Sequence, residues 1–317
     1  MTSLAPLRTV VAELSFQNPI ILAAGTAGYG EELTGVIALD RLGGLVTKAV
    51  SREPRSGAPA PRVAEFEGGM INAVGLANPG LAAVREKHVP WLATHLPQTR
   101  KLVNVVGFTV DEYAEVVAGL DDAANARNGA GAIDAFELNV SCPNTKAGGM
   151  EFGADPESLR AVIDGARRAT RRPLFVKLSP TLPNIADSAR LVADAGADGI
   201  SLVNTIPGLV IDIEQRRPAL GFGSGGVSGA ALLPVGVLAT WKVSRAVKLP
   251  LLGLGGVASA TDAIQYLMAG ASLVGVGTAA LRDPRAPERI VNDLAAWCHS
   301  HGVRQVADIV GTLEWPS

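Results

Sequence analysis

The segment ELNVSCPNTKAGG, residues 137–149, places a cysteine directly after an apolar run that is typical of a strand. Cys142 is flanked by Asn139 and Asn144, so polar side chains surround the thiol. A free cysteine is by default a small buried hydrophobe. A thiol among polar groups can instead act as a nucleophile or a general base, because its neighbours tune the thiolate fraction. The chemistry of Cys142 therefore depends on the scaffold that holds this strand end.

The histidines of the chain bear on which of these two chemistries applies. A cysteine that performs acyl transfer needs a histidine partner, and the four histidines (His88, His95, His299, His301) all lie away from the predicted strand ends. A general base is therefore favoured over a covalent nucleophile. The run from Cys298 to His301 resembles a metal cluster, but it falls late in a terminal helix-like segment without further ligands nearby. We predict no metal site.

Eight short apolar runs alternate with longer segments of helical period. The runs cover residues 19–25, 43–50, 101–108, 135–141, 173–180, 199–205, 249–257 and 271–278. Nearly continuous apolar strands are typical of a parallel sheet buried on both faces. The pattern predicts an α/β fold, a (β/α)₈ TIM barrel. A doubly wound open sheet is the alternative, but no G-x-G-x-x-G fingerprint opens the first unit.

Helix boundaries and long connections complete the predicted architecture. Asp155 as N-cap and Pro156 at the first helical position predict a helix, and Gly196 and Gly270 predict the ends of two more. Residues 51–100 and 206–248 are too long for ordinary loops, and such connections are usually functional. Both follow predicted strands, so we expect one domain, residues 1–317, with long loop insertions at the C-terminal face.

Polar residues and glycines stand at the end of most predicted strands. For each one a simpler explanation exists, since an asparagine often caps a turn and a lysine at a strand end is usually solvated. A closed barrel would nevertheless bring all of these ends to a single mouth, which favours a binding site. The set comprises Lys48, Asn104, Asn139, Cys142, Lys177, Asn204, Thr205, Gly255, Gly256, Gly277 and Thr278.

The glycines and the lysines indicate the charge of the ligand. Glycine allows close backbone approach, and the loops after strands seven and eight of barrels commonly bind phosphate. Residues 224–232, with Gly229, offer further backbone donors. Lys48 and Lys177 at such a mouth would need anionic partners, for example a substrate carboxylate and a cofactor that becomes anionic when reduced. A Schiff-base aldolase and a non-catalytic barrel that senses a phosphorylated ligand remain alternatives.

The overall composition is that of a soluble globular protein. Hydrophobic residues make up 48% and charged residues 18% of 317 residues, and the net charge is −2. This charge predicts no affinity for nucleic acid or anionic membranes. The N-terminus does not resemble a signal peptide, no apolar run is long enough to span a membrane, and two cysteines form no disulfide framework. We expect a cytoplasmic protein.

The motifs of the chain, in order, resemble those of a known family. They are NPIILAAGTAGYGEE, TKAVSREPRSGAPAPR, MINAVGLANPG, ELNVSCPN, VKLSP, ADGISLVNT, GLGGV and AGASLVGVGTA. Across nearly the whole chain, from Asn18 to about Leu313, they are similar to the catalytic subunit of bacterial class 1 dihydroorotate dehydrogenases. The resemblance implies an FMN-binding (β/α)₈ barrel that oxidises (S)-dihydroorotate to orotate in pyrimidine (UMP) biosynthesis. Related dihydropyrimidine dehydrogenases share parts of the pattern.

The resemblance also implies a role for individual residues. Cys142 would remove the C5 proton of dihydroorotate while a hydride passes from C6 to flavin N5, and Lys48 would contact both flavin and substrate carboxylate. Lys177 would stabilise negative charge near flavin N1 and O2. Substrate contacts would come from Asn72, the backbone of Ala73, Val74, Gly75 and Leu76, and from Asn139, Asn144, Asn204 and Thr205. FMN contacts would come from Ala24, Lys48, Ala49, Asn104, Asn139, Lys177, Val203, Gly229, Gly255, Gly256, Gly277 and Thr278.

The same resemblance bears on the electron acceptor. Many relatives have serine at Ala24, so a flavin contact there would use the backbone. Membrane-linked relatives have a serine base and an N-terminal extension, so Cys142 and the early first strand disfavour a quinone. The motif INAVGLANPG and the pair Asn204-Thr205 look more like the NAD-linked class 1B form than the fumarate-linked class 1A form, which is the alternative. The NAD-linked form implies a homodimer, or a heterotetramer with a subunit carrying FAD and [2Fe-2S]. Two cysteines are too few to hold that cluster here.

Overall fold

The computed structural model describes residues 4–141 and 151–316. The strands are β1 (Thr9–Val11), β2 (Leu14–Phe16), β3 (Ile20–Leu22), β4 (Gly44–Val46), β5 (Val63–Phe66), β6 (Gly69–Asn72), β7 (Arg100–Val105), β8 (Ala135–Asn139), β9 (Leu174–Leu178), β10 (Gly199–Leu202), β11 (Ile206–Gly208), β12 (Ile211–Asp212), β13 (Arg217–Pro218), β14 (Gly225–Ser228), β15 (Leu251–Leu254) and β16 (Leu273–Val276). The α-helices are α1 (Gly80–Ala83), α2 (Val89–His95), α3 (Val110–Asn125), α4 (Pro156–Ala169), α5 (Ile185–Asp194), α6 (Leu233–Ser244), α7 (Ala260–Met268), α8 (Thr278–Arg282) and α9 (Ala286–Ser300).

Eight of these strands close into a parallel barrel. The order around the barrel is β3, β4, β7, β8, β9, β10, β15 and β16, and β16 pairs back onto β3. Each of them coincides with one of the eight apolar runs of the sequence, although the hydrogen-bonded strands are shorter than the runs. Helices α3, α4, α5, α6, α7 and α9 follow successive barrel strands. The predicted (β/α)₈ fold is confirmed.

The lower half of the barrel interior is filled by apolar side chains. Along β7, β8 and β9 alternate residues point inward, and Leu102, Ala135 and Phe175 belong to the interior cluster. Phe16 of the hairpin formed by β1 and β2 is fully buried in the same cluster. The Arg100 Nε donates to the Ser15 carbonyl at 2.7 Å, which places this hairpin at the N-terminal ends of the strands. The barrel is therefore sealed at that end, and its strands end at a mouth on the opposite side.

The helices begin and end largely where the sequence predicts. The Asp155 carboxylate accepts the Ser158 N–H at 2.8 Å, and Pro156 is the first residue of α4. One face of α4 buries Leu159, Val162, Ile163 and Ala166. Helix α7 ends just before Gly270, as predicted, and Ser259 and Asp262 form a reciprocal capping box around its first turn.

The two long connections form a small sheet together. Its order is β11, β14, β6 and β5, and β6 comes from the first connection while β11 and β14 come from the second. Asn72 is in register with Gly226, and Met70 with Ser228. A Cβ at Gly226 would lie 2.1 Å from Thr205 Oγ1, so only glycine lets β14 approach the end of β10 this closely. The sequence predicted these segments as elaborated loops, without their mutual pairing.

No helix in residues 4–141 or 151–316 is long and apolar enough to cross a membrane. In the same ranges no three potential metal ligands converge. Cys298 is fully buried on the core face of α9, and the imidazole of His301 stacks on Trp297.

A buried histidine supports the loop that follows β3. His88 is 9% exposed and stacks on Tyr29 with ring centroids 4.1 Å apart, and the Tyr29 hydroxyl donates to the Ala49 carbonyl at 3.2 Å. Burial lowers the pKa of His88. The Glu31 carboxylate, 3.9 Å from Nδ1, acts in the opposite direction, but it is partly exposed and screened by solvent. The neutral imidazole is therefore favoured in the folded state.

This arrangement predicts a loss of stability in mild acid. As the pH falls below about 6.5, the ordinary pKa of histidine, the unfolded chain takes up a proton that folded His88 resists. We expect the free energy of unfolding in urea to decrease between about pH 7 and about pH 5, with a smaller decrease in His88→Gln. His95→Gln is the control, because that side chain is exposed. Equal pH dependence in the wild type and His88→Gln would contradict the prediction.

Candidate active site

Closure of the barrel brings the polar strand ends together at the mouth. On neighbouring strands, Asn104 is in register with Glu137, and Asn139 is in register with Lys177. Lys177 is in turn level with Ser201 of β10. The Lys48 N–H donates to the Gly28 carbonyl at 2.7 Å, which ties the ends of β3 and β4 together. One continuous arc of polar residues, including the predicted Asn104, Asn139 and Lys177, therefore runs from β7 to β10.

The two lysines give the mouth a positive character. Lys177 is 7% exposed and Lys48 is half-buried. Within residues 4–141 and 151–316, neither ammonium group forms an ion pair. A buried ammonium group is costly unless an anion or several hydrogen-bond acceptors surround it. The site is therefore suited to a ligand that carries negative charge.

An amide network orients the polar groups at the ends of β8 and β10. The Asn204 Nδ2 donates to Asn139 Oδ1 at 3.2 Å, and Asn204 Oδ1 accepts the Thr205 N–H at 2.9 Å. Asn139 Oδ1 also accepts the Ser141 N–H at 3.3 Å. These bonds engage both amide atoms of Asn204 but leave Asn139 Nδ2 without a partner among the described residues. Asn139 can therefore donate to a bound ligand.

A cavity of about 330 Å³ opens beside this network. Four of its lining residues are predicted substrate contacts: Ala73, Gly75, Asn204 and Thr205. The others are Ala58, Ser141, Glu151, Ser179, Pro207, Phe222, Ser224, Gly225 and Gly226. The volume lies at the lower end of the range for small-molecule sites. It suits a single small ring with polar substituents.

The loop after β6 forms one wall of this cavity. The Asn72 Nδ2 donates to the Gly226 carbonyl at 3.2 Å, so its amide is oriented by the small sheet. The Ala73 N–H donates to the Arg62 carbonyl and the Val74 carbonyl accepts the Ala58 N–H. Leu76, in a left-handed conformation with φ 57°, packs with Ala49 and Val106. This packing connects the predicted substrate loop to the end of β4.

Three glycine-containing segments meet on the other side of the mouth. Thr278 Oγ1 donates to Ser228 Oγ at 2.8 Å, which holds the end of β16 beside Gly229. A Cβ at Gly256 would lie 2.5 Å from the Leu233 nitrogen, so the end of β15 also touches this region. In this region the backbone N–H groups of Gly255, Gly256, Gly277 and Thr278 have no acceptor among the described residues. Together they form a cradle that suits a phosphate.

Other predicted positions differ in how they can reach a ligand. Asn104 is 1% exposed, and its Nδ2 donates to Glu137 at 2.7 Å, which leaves its Oδ1 for a ligand. Val203 packs into the outer core, so it could contact a ligand only through its backbone. Ala24 is half-buried at the end of β3. Cys142 and Asn144 lie outside the described residues.

Several site residues were not found from the sequence. Ser141 and Ser179 line the cavity and stand inside motifs already singled out, ELNVSCPN and VKLSP, which was the available signal. Glu151 lines the cavity as well, and burial raises the pKa of its carboxyl. In the sequence Glu137 looks like an ordinary residue of an apolar strand, but in the structure its side chain faces the barrel interior. No local pattern distinguishes such positions, because they depend on which strands become neighbours.

Comparison with known proteins identifies the family of this chain. Residues 6–297 match the family model described as Dihydroorotate dehydrogenase. The chain is 45% identical to a dihydroorotate dehydrogenase B (NAD(+)) catalytic subunit from Pelobacter propionicus, over 96% of this chain and 97% of the relative. The catalytic subunit of the same name from Trichlorobacter lovleyi is 42% identical, again over 96% of this chain and 97% of the relative. A relative from Solibacter usitatus, whose name gives it provisionally as the fumarate-linked type A, is 45% identical over 98% of this chain and 99% of the relative. The chain belongs to the dihydroorotate dehydrogenase family.

Proposed function

We propose that this protein oxidises (S)-dihydroorotate to orotate, a step of pyrimidine biosynthesis, with FMN as its bound cofactor. The observation that carries the proposal is the placement around one barrel mouth of an N–H cradle, an amide-lined cavity and two lysines that form no ion pair among the described residues. A phosphate, an anionic ring and a carboxylate would each meet a suitable partner there. An aldolase would need one lysine and would leave the amide network without a role.

The residues present fit an FMN molecule. The phosphate would lie among the N–H groups of Gly255, Gly256, Gly277 and Thr278, which have no acceptor in the described part of the chain, with Gly229 alongside. The ammonium group of Lys177 is buried, and the amide oxygen of Asn104 has no donor among the described residues, so both could face the ring. When bound, FMN supplies the ring that accepts the hydride. Lys177 would offset the negative charge that reduction adds to that ring.

The protein residues would orient the substrate and move one proton. Lys48 would attract the substrate carboxylate, while Asn139 Nδ2 and the loop after Asn72 would hold the ring by hydrogen bonds. Asn204 would act chiefly by orienting Asn139, because its own amide is already engaged. We assign the removal of the C5 proton to Cys142, on the family resemblance of its motif. The hydride leaves C6 as the electron pair of the C5–H bond forms the ring double bond.

We further propose that electrons pass to NAD through a separate subunit with FAD and an iron–sulfur cluster. Relatives named for NAD and for fumarate share 45% identity with this chain, so identity alone does not separate the two acceptors. The motif INAVGLANPG and the pair Asn204-Thr205 support the NAD-linked form. The name catalytic subunit in the relatives fits a chain that works with a partner.

The first test is an anaerobic visible spectrum of the purified chain before and after dihydroorotate is added. We expect an oxidised flavin spectrum that bleaches on addition, because the substrate hydride reduces the bound ring. A flavin spectrum that persists would reject dihydroorotate as the substrate. A chain that neither carries nor takes up FMN would reject the cofactor and favour the aldolase, which borohydride trapping on Lys48 or Lys177 would then detect.

Replacement of the proposed base separates binding from chemistry. In Cys142→Ala we expect FMN and orotate to bind as in the wild type, with flavin reduction slower by roughly 10²- to 10⁴-fold, the usual contribution of a general base. Cys142→Ser should retain part of the rate, since a hydroxyl can still accept a proton. Reduction of Cys142→Ala at the wild-type rate would remove the assignment.

The cradle can be tested by adding one methyl group. A Cβ at Gly277 meets only ordinary contacts, at 3.7 Å from Ala23 Cβ, so Gly277→Ala should leave the FMN-free chain folded. The methyl would crowd a bound phosphate, and we expect the FMN dissociation constant to rise about tenfold or more, measured by fluorescence titration. Gly165→Ala in α4, with its nearest contact at 3.6 Å, is the matched control. Equal FMN affinity in both variants would argue against the cradle.

The acceptor is decided by reoxidation. We expect the dithionite-reduced chain to be reoxidised slowly by fumarate, and to transfer electrons to NAD only after a purified FAD/iron–sulfur subunit is added. Rapid reoxidation by fumarate alone would assign the chain to the fumarate-linked form instead.

A further inference from the structure

The upper half of the barrel interior contains polar side chains where apolar filling would be expected. Asn104 and Glu137 are each 1% exposed, and Ser201 is fully buried. They alternate along their strands with outward residues of the main core, such as Phe136 and Leu138. Burial of a carboxylate is costly unless it is hydrogen-bonded or paired with a charge. The presence of Glu137 at this depth therefore calls for a physical reason.

Glu137 has one clear contact. The Asn104 Nδ2 donates to Glu137 Oε1 at 2.7 Å, between residues directly in register on β7 and β8. A carboxylate only accepts hydrogen bonds, so the nitrogen of the Asn104 amide, and not its oxygen, must face Glu137. The Asn104 N–H donates to Thr47 Oγ1 at 3.3 Å, which holds the backbone as well. The amide oxygen of Asn104 is therefore held in one direction, away from Glu137.

Glu137 is also the only acidic residue in the eight barrel strands, all of which lie in the described ranges. Lys177 stands on the next strand, level with Asn139, and shares its interior face with Glu137. In the described residues no carboxylate forms an ion pair with Lys177. The negative charge of Glu137 and the positive charge of Lys177 therefore lie one strand apart in a region that water barely reaches, where charges interact strongly.

We propose that Glu137 is a positioning residue of the flavin site. It orients the Asn104 amide so that Oδ1 is presented to the cofactor, and it is the buried counter-charge of Lys177. The first part rests on the proposed FMN function, whereas the second concerns the protein alone. Glutamine at this position would keep the size of the side chain but could either accept or donate a hydrogen bond. The orientation of Asn104 would then no longer be imposed.

The positioning role is tested by FMN titration in four chains: wild type, Glu137→Gln, Asn104→Ala and the double variant. We expect Glu137→Gln to raise the FMN dissociation constant roughly tenfold in the wild-type background, as for loss of a charge-assisted hydrogen bond. In the Asn104→Ala background the effect should be much smaller, because the orientation of the amide is lost there and only the influence of Glu137 on the Lys177 charge remains. Thr240→Val is the control, since Thr240 is fully buried in α6 outside the mouth.

An equal effect of Glu137→Gln in both backgrounds would overturn the positioning role. The positioning role would also be overturned if Glu137→Gln kept the wild-type FMN affinity but had a lower free energy of unfolding, because that result indicates a purely structural role. If the wild-type chain binds no FMN at all, the proposed function fails, and this part of the inference fails with it.

The counter-charge role is measured without the cofactor. Urea unfolding of the FMN-free chains Glu137→Gln, Lys177→Met and the double variant gives a double-mutant cycle. We expect the double variant to lose less stability than the two single variants combined, because each single change leaves one buried charge unbalanced. Additive losses would show that the two charges are independent, and this outcome does not depend on whether FMN is the cofactor.

Discussion

Parallel pairing of β16 with β3 is the constraint on which the remaining structure depends. Val274 pairs with Ile20 and Val276 with Leu22, and this ladder turns an open sheet into a closed barrel. Because every barrel strand runs in the same direction, all carboxyl ends open at one mouth. The opposite end is filled by Phe16 and its apolar neighbours. The separation between a sealed, apolar half and an open, polar half follows directly from closure.

The polar half depends on groups that hold one another in place. Asn204 orients Asn139, Glu137 orients Asn104, and Thr278 is tied to Ser228. In the first two pairs one amide atom, Asn139 Nδ2 or Asn104 Oδ1, has no partner among the described residues and can face a ligand. Side chains held in this way lose little further freedom when a ligand binds, which favours tight and specific binding. Because these polar residues hydrogen-bond to one another, their burial inside the barrel is tolerated.

The small sheet links the cavity and the glycine cradle. Pairing of β6 with β14 places the loop after Asn72 on the cavity and Gly229 at the cradle. Asn72 and Gly226 are joined although they are 154 residues apart in the chain. A displacement of this sheet would therefore affect both ends of the site together. The two long connections therefore form the walls of the mouth and also hold its two ends in a fixed relation.

The sequence by itself determined the barrel strands and the boundaries of several helices, because these elements leave local signals. Apolar runs marked all eight barrel strands, Asp155 and Pro156 marked the start of α4, and the family motifs marked the predicted site residues. Only the tertiary structure decided which groups meet: the pairing of Asn72 with Gly226, the contact of Glu137 with Asn104, and the burial of His88 against Tyr29. Periodicity and capping extend over a few residues, whereas these contacts join segments far apart in the chain. They arise from barrel closure and the pairing of the two insertions, which no local pattern encodes.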